Sequence, residues 1–488
     1  MNGLSPRRVL ALAALVAALG SGGTPSAPWP HGEPPSSSTL DRLLADAMTI
    51  EEREQNEEWL AAAEANEDSD HLTILQEDVD KGTYTKEKLF QFGDEFFSHE
   101  YKVDDGYGDG SYTTLRRVHT GVRGGLDTFS CSGCHSVGGP DGAGSQAQDA
   151  LLDGDGDHES TALHRNAPAM LGLGMVQALG VEMTQDLQLQ RDTARDKAKA
   201  TGVPQTVALT SKGISFGTLT LGTQGGVDVS RLAGVDADLV VKPFGWKGTV
   251  ARLRRFVEDA ARIHFGIQSQ LLALGDKDHP DPAHLGSGVW YDPDGDGKER
   301  ELEEGLLTSA AVYLTMLETP VILPPNDAGL RDRWANGSAL FTQVGCGSCH
   351  TRSLNLLNPV WHELSDTTGS DYQVQLFADG DQPRGTNDVN LFSDLKRHAM
   401  GSELADPHDN EQGIARDVFL TRPLWGLAET PPYLHDGRAP TIPDAILAHG
   451  GEAQKSRDAF AALSSSQQAD VHIFLLSLTR EPKVRVAR

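Results

Sequence analysis

Apolar positions fall at helical spacing in several stretches of the chain. Leu330, Trp334, Phe341 and Val344 predict a helix directly before a cysteine pair. Val471, Phe474, Leu475 and Leu478 predict a closing helix near the C-terminus, with Ser465 and Gln468 as its capping box. Val250, Leu253, Val257 and Ala260 form an apolar helical stripe, and His264 continues it at heptad spacing. From Thr206 to Val241 the chain is rich in Thr, Val and Gly, and Ile214 alternates with Phe216, which predicts a small β excursion. Leu40, Leu43, Leu44 and Met48 lie near helical spacing in residues 40–66, which read as an acidic helix or as a partly disordered arm. The fold class expected is therefore mainly α, with one β excursion and an acidic N-terminal arm.

Arg7 and Arg8 precede an uncharged run from Val9 to Leu19, and small residues follow. That run is too short for a permanent membrane span and fits the apolar core of an export signal. Cleavage is expected between about Ala18 and Ala27, boundaries being the weakest part of such a reading. Export to the periplasm follows as the expectation. No cysteine follows the run, so a lipid anchor on Cys is not available, and no later stretch is long and apolar enough to cross a membrane. Residues 1–27 read as signal peptide and start of linker, and 28–85 as linker and acidic arm. Pro320, Pro324 and Pro325 punctuate a second linker, which separates a first segment (86–322) from a second (323–488).

Composition narrows the picture. A chain of 488 residues suits two or three domains, and 38% hydrophobic content with 15 Phe and 7 Trp suffices for their cores. A formal net charge of -28 argues against nucleic acid, whose phosphates are bound through Lys and Arg. It suits a basic or neutral partner, although such a balance is usually only solvated surface.

The chain has four cysteines, all in CxxC pairs: Cys131 with Cys134, and Cys346 with Cys349. Two disulfides or a four-thiolate zinc site are the plainer readings. Each pair, however, is followed at once by a histidine, His135 and His350. CxxCH is the attachment signature of c-type haem, because two thiols add to the porphyrin vinyl groups and the adjacent imidazole reaches the iron. Two haem c groups are therefore expected, with His135 and His350 as proximal ligands. A helix before the haem and a closing helix after it is how a small cytochrome c fold is built, so two cytochrome-c-like domains are expected.

Further segments carry a family resemblance. They are Cys131–Pro140, Arg165-Asn166-Ala167-Pro168, Phe244-Gly245-Trp246-Lys247, His398-Ala399-Met400-Gly401 and Leu424-Trp425-Gly426-Leu427. The most specific is Thr430-Pro431-Pro432-Tyr433-Leu434-His435-Asp436-Gly437-Arg438, continuing to His449-Gly450-Gly451-Glu452. From about residue 86 onward the chain resembles the bacterial di-haem c-type oxidoreductases of peroxidase type, relatives of di-haem cytochrome c peroxidase and of the methylamine-utilisation di-haem enzyme. The long insertion before Phe244 and the acidic arm lie outside it. The resemblance implies two haems facing a common interface with a Trp between them, one collecting electrons and one meeting hydrogen peroxide, with Ca²⁺ nearby.

The second axial ligands decide what each iron does. For the C-terminal haem His449 is favoured, standing about twenty residues before the closing helix; the resemblance puts Met there, and Met400 is the rival ligand. For the N-terminal haem the candidate is His158, matched by its spacing to Asn166; a solvated loop histidine is the equal alternative, and His164 is a weaker substitute. The resemblance implies that Trp246 is the inter-haem Trp, with a buried structural Trp as the plainer reading. Lys247 and Arg252 are candidates to hold haem propionates, or plain surface charge. His264 stands where the resemblance implies a catalytic Glu, so it is a candidate acid/base, an iron ligand or a core histidine. His435 is expected to pack beside the second haem rather than ligate it.

Asp292, Asp294 and Asp296, with Gly297 and Glu303, have the D-x-D-x-D-G-x5-E spacing of an EF-hand loop, so Ca²⁺ is expected there. Glu299 departs from that pattern, and an acidic turn is the alternative. Asp153, Asp155 and Asp157 form a looser cluster. The resemblance implies that Asn166 contributes to an interface Ca²⁺ site. The function expected is an exported di-haem oxidoreductase passing single electrons through one haem to a reactive second haem. The expected partners are a small redox donor protein or cytochrome and hydrogen peroxide or another oxidisable partner, with a homodimer compatible. The alternative is an electron-transfer protein with both irons six-coordinate; a zinc or disulfide module ranks third.

Overall fold

The computed structural model describes residues 73–107, 118–119, 122–123, 128–151, 163–269, 301–377, 387–407 and 413–480. The signal, the linker, most of the acidic arm, His158, Asp292, Asp294 and Asp296 lie outside the described residues.

The chain is mainly helical. The helices used below are α1 (Gln76–Asp80), α2 (Lys86–Ser98), α3 (Cys131–Cys134), α4 (Leu173–Thr201), α5 (Leu253–Phe265), α6 (Glu304–Met316), α7 (Ala328–Gln343), α8 (Ile442–Ala448), α9 (Gln454–Ala461) and α10 (Ser465–Leu475). Helix α6 is buried over its whole length, because it is apolar or small on every face. It crosses α2 so closely that a Cβ on Gly93 would lie 2.3 Å from the Ser309 carbonyl oxygen. The same arrangement recurs in the second segment. There α7 crosses α10, and a Cβ on Gly337 would lie 1.9 Å from the Asp470 carbonyl oxygen. Each CxxCH motif thus follows a helix that is clamped by a later helix through a glycine contact.

The capping box of α10 sits one residue earlier than its sequence spacing suggested. Ser464 is the N-cap, and Gln467 returns the bond to its backbone N–H. Three consecutive serines offer the cap, and Gln468 is drawn away to donate to the Phe460 and Leu463 carbonyls. The β excursion is an antiparallel meander of β1 (Gln205–Ser211), β2 (Ile214–Leu221) and β3 (Val227–Leu232). Ile214, Phe216, Leu219 and Leu221 turn inward against α4.

The larger core combines α2, α4, α5 and α6 with residues of the second segment. Trp361 and Val374, on the hairpin of β4 (Val360–Leu364) and β5 (Asp371–Gln375), belong to it. The smaller core gathers Leu340, Phe341, Phe392, Val471 and Phe474. A buried ion network fastens the hairpin: Arg254 on α5 meets Glu363 at 2.6 Å and Glu304 at 3.0 Å, and donates to Thr308 at 2.6 Å. Arg252 joins the same network through Glu363 and Asp366 rather than facing a haem cavity. The expectation of Arg252 as a propionate holder is thereby corrected: its charge is answered by carboxylates of the hairpin. Among the described residues no helix is long and apolar enough to cross a membrane.

Candidate functional site

Two cavities each hold one cysteine motif. The smaller, of about 150 Å³, is lined by Cys131, Cys134, His135, Trp246 and His264 among others. The larger, of about 290 Å³, is lined by Cys346, Cys349, His350, Met400 and His449 among others. Asn166, Ala167, Pro168 and Trp246 line both, so these four residues form a common wall. All four thiols are free of disulfides, and burial pushes the Cys131 thiol well up and the Cys346 thiol to about 11. Separated into two cavities, the four cannot converge on one zinc ion.

The proximal histidines fit a haem iron. His135 Nδ1 donates to the Pro168 carbonyl at 2.9 Å, and His350 Nδ1 donates to the Phe392 carbonyl at 3.0 Å. With the proton held on Nδ1, Nε2 is the nitrogen of each ring that carries a lone pair for a metal. Burial lowers both imidazole pKa values to about 4, so both rings are neutral, as a ligand must be.

His449 fits in the same way. Its Nδ1 donates to the Ala445 carbonyl at 2.7 Å, and burial lowers its pKa. It is near enough to His350 to disfavour the charged form of that ring. Met400 lines the same cavity. In the smaller cavity His264 stands on α5, with Val257, Ala260 and Ala261 on the same lining face. Proximity to His264 helps to keep His135 neutral.

The common wall is tied from both segments. The Trp246 indole N–H donates to the Asn166 carbonyl at 2.8 Å. The Asn166 backbone N–H donates to the His435 carbonyl at 2.6 Å, and its Nδ2 donates to the Pro432 carbonyl at 3.0 Å. The Asn166 Oδ1 is buried and has no partner among the described residues. A buried carbonyl oxygen left open in this way suits a hard cation. Glu303 is buried at the N-cap of α6, while the rest of the EF-hand-type loop lies outside the described residues.

Behind the wall lies a buried charge cluster. Arg165 binds Asp406 through two bonds of 2.8 and 2.9 Å, and Lys247 Nζ reaches Asp406 at 2.9 Å. Lys247 also donates to the Ala415 and Arg416 carbonyls and lies 3.8 Å from the Phe419 ring centre. Lys247 as a propionate holder is therefore corrected: it is a buried counter-ion of Asp406. His435 stacks on Phe419 at 4.4 Å and lies 3.6 Å from Asp406, so its ring packs beside the larger cavity.

One neighbour went unread in the sequence. His398 lines the larger cavity, donating from Nε2 to Asp394 at 2.8 Å and from Nδ1 to Glu452 at 2.9 Å. Burial opposes its charge, but the hydrogen bond and charge of Asp394, with hydrogen bonds to Cys349 and Glu452, win and push its pKa up to about 11. Its place in the His398-Ala399-Met400-Gly401 segment was the available signal.

Comparison with known proteins agrees with the resemblance. Residues 318–478 match the family described as "Di-haem oxidoreductase, putative peroxidase". No curated protein matches the chain. Among solved structures it is similar to Kuenenia stuttgartiensis hydrazine synthase pressurised with xenon, at 12% identity and TM-score 0.35, over 94% of this chain and 97% of that one. It is also similar to a MauG-like protein associated with microbial copper homeostasis, at 15% identity and TM-score 0.29, over 55% of this chain and 79% of that one. Likeness at this level says nothing of substrate.

Proposed function

We propose that the chain is an exported di-haem c-type oxidoreductase of peroxidase type, built from two cytochrome-c-like domains. The observation that carries this reading is the wall shared by two cavities, each holding one CxxCH motif. Cys131 and Cys134 hold one haem with His135 as proximal ligand; Cys346 and Cys349 hold the other with His350. When bound, haem supplies an iron that takes up and gives out single electrons and, where one axial position is open, binds peroxide.

His449 closes the C-terminal site, making it the port for electrons from a small redox donor protein. Its open Nε2 beside Met400 supports His449 as the ligand. Trp246, in contact with both cavities, carries electrons across the wall. In the N-terminal site His264 handles protons: its imidazole takes a proton from one peroxide oxygen and returns it to the other, the oxygen that leaves as water. His158 is the loop ligand that yields this site to peroxide. Ca²⁺ is held at the wall through Asn166 Oδ1, and a second Ca²⁺ by Asp292, Asp294, Asp296 and Glu303.

Turnover tests the reading. Hydrogen peroxide should be reduced rapidly when a reduced small cytochrome is supplied, with one peroxide consumed per two electrons. A second reading is favoured by His264 facing the His135 cavity: it ligates the iron, and the chain is an electron-transfer protein with two closed haems. Peroxide left unconsumed by a protein that still exchanges electrons with the donor would select that reading.

A further inference from the structure

Arg422 carries a charge that the rest of the site does not answer. Its side chain lines the larger cavity, with the guanidinium carbon 5.6 Å from the Trp246 ring centre. Of the other basic groups on this cavity, His350 and His449 are neutral rings bound to backbone carbonyls, and the rest lie beside acids. Arg457 meets Asp458 at 2.8 Å, His398 holds Asp394 and Glu452, and His435 lies near Asp406. Among the described residues no acceptor is paired with Arg422, and burial alone weakens its hold on its proton. A guanidinium on the wall of a largely apolar cavity is costly without an anion, so an anion belongs beside it.

The backbone sets it there. Leu420 donates its N–H to the Trp246 carbonyl at 2.9 Å, and Thr421 donates to the Lys396 carbonyl at 2.9 Å. Pro423 follows, which biases Arg422 toward an extended backbone. The side chain is thereby delivered to the Trp246 face, against the common wall.

We propose that Arg422 is the counter-ion of a carboxylate carried by the group in the larger cavity, a haem propionate, and that this ion pair lies against Trp246. The inference rests on the haem reading above. A planar guanidinium matches a carboxylate with two parallel hydrogen bonds, which an ammonium cannot reproduce. The pair also governs Trp246. A cation over the ring makes loss of an electron from the indole harder, and the neighbouring carboxylate offsets that field.

The test uses the haem-loaded full chain and its Arg422→Gln and Arg422→Lys variants. The two haem midpoints are resolved by spectroelectrochemistry, and propionate bending bands are read by resonance Raman. Arg422→Gln should lower the midpoint of the haem at Cys346 and Cys349, since an unanswered carboxylate favours ferric iron, and leave the other midpoint in place. Arg422→Lys should restore most of that midpoint while still moving the propionate band, because it supplies charge without the fork. Should Arg422→Gln not mature, the wild-type and Arg422→Lys spectra decide: an unmoved propionate band overturns the proposal. So does an unmoved midpoint in Arg422→Gln, or a wild-type midpoint that responds to added acetate, which would place a soluble carboxylate there instead. A chain without covalent haem overturns the haem reading itself, and this inference with it.

Discussion

The Trp246 indole N–H donates to the Asn166 carbonyl at 2.8 Å, and both residues line both cavities. That bond pins the one large aromatic of the common wall to a strand end that the second segment holds through Pro432 and His435. On the proposed reading, that shared wall is the path electrons take between the two sites.

Replacing the indole tests the wall. Trp246→Phe should leave both haems attached and both proximal ligations intact. Electron transfer between the sites should slow by ~10-fold or more, a barrier increase of ~1.4 kcal/mol. Stopped-flow reduction by a one-electron donor, followed at the two haem bands, measures this. An unchanged inter-site rate would remove Trp246 from the path.

His264 is where proton handling is expected. His264→Gln should lower peroxide turnover by ~10²- to 10⁴-fold while the donor still reduces the C-terminal haem at the wild-type rate. Steady-state peroxide consumption with a reduced cytochrome reads the first effect, and rapid mixing reads the second. Turnover within a factor of ~2 of wild type would contradict a role in proton transfer, since general acid–base groups contribute far more.

Asp406 holds two buried cations, Arg165 and Lys247, in place. Burial by itself raises its carboxyl pKa, but the hydrogen bonds and charge of Arg165, joined by Lys247, outweigh that and leave it below the usual carboxylate range. A depressed folded pKa means the stabilisation is complete above the unfolded value of ~3.9 and is lost as pH falls toward the folded value. Asp406→Asn should destabilise the folded chain by ~3–5 kcal/mol near neutral pH, because two cations stay buried without their anion. It should also flatten the acid limb below about pH 4. Denaturant unfolding at pH 7 and pH 3 measures both. Equal loss at the two pH values would contradict the ion-pair assignment.

Much of this was legible in the sequence, for local reasons. Adjacent residues make a CxxCH motif, and helical spacing is written in neighbours, so both haem motifs, α5, α7 and α10 could be read directly. Long-range partners could not. Nothing near Lys247 announces Asp406, and nothing near Arg252 announces Glu363, so both cations read as propionate holders or as plain surface charge. Arg422 stood out in no local pattern; its significance is that no acid among the described residues pairs with it. The two helix clamps did leave a trace. Gly93 precedes Phe96 and Phe97 in the same way that Gly337 precedes Leu340 and Phe341, a repeat that becomes visible once both glycines are seen at helix crossings.

The rival ligands of the C-terminal haem separate cleanly. His449→Met should keep that iron low-spin and raise its midpoint, because a thioether favours ferrous iron more than an imidazole does. Met400→Leu should leave spin state and midpoint unchanged. The reverse pattern in redox titration would make Met400 the ligand.

The most direct measurement combines optical and EPR spectra of the fully oxidised and half-reduced protein. One haem is expected to be low-spin in both states, closed by His350 and His449. The other is expected to be high-spin at rest or to become so when its partner is reduced, giving peroxide an open iron beside His264. Two haems that are low-spin in both states would contradict a peroxidase-type site and leave an electron carrier.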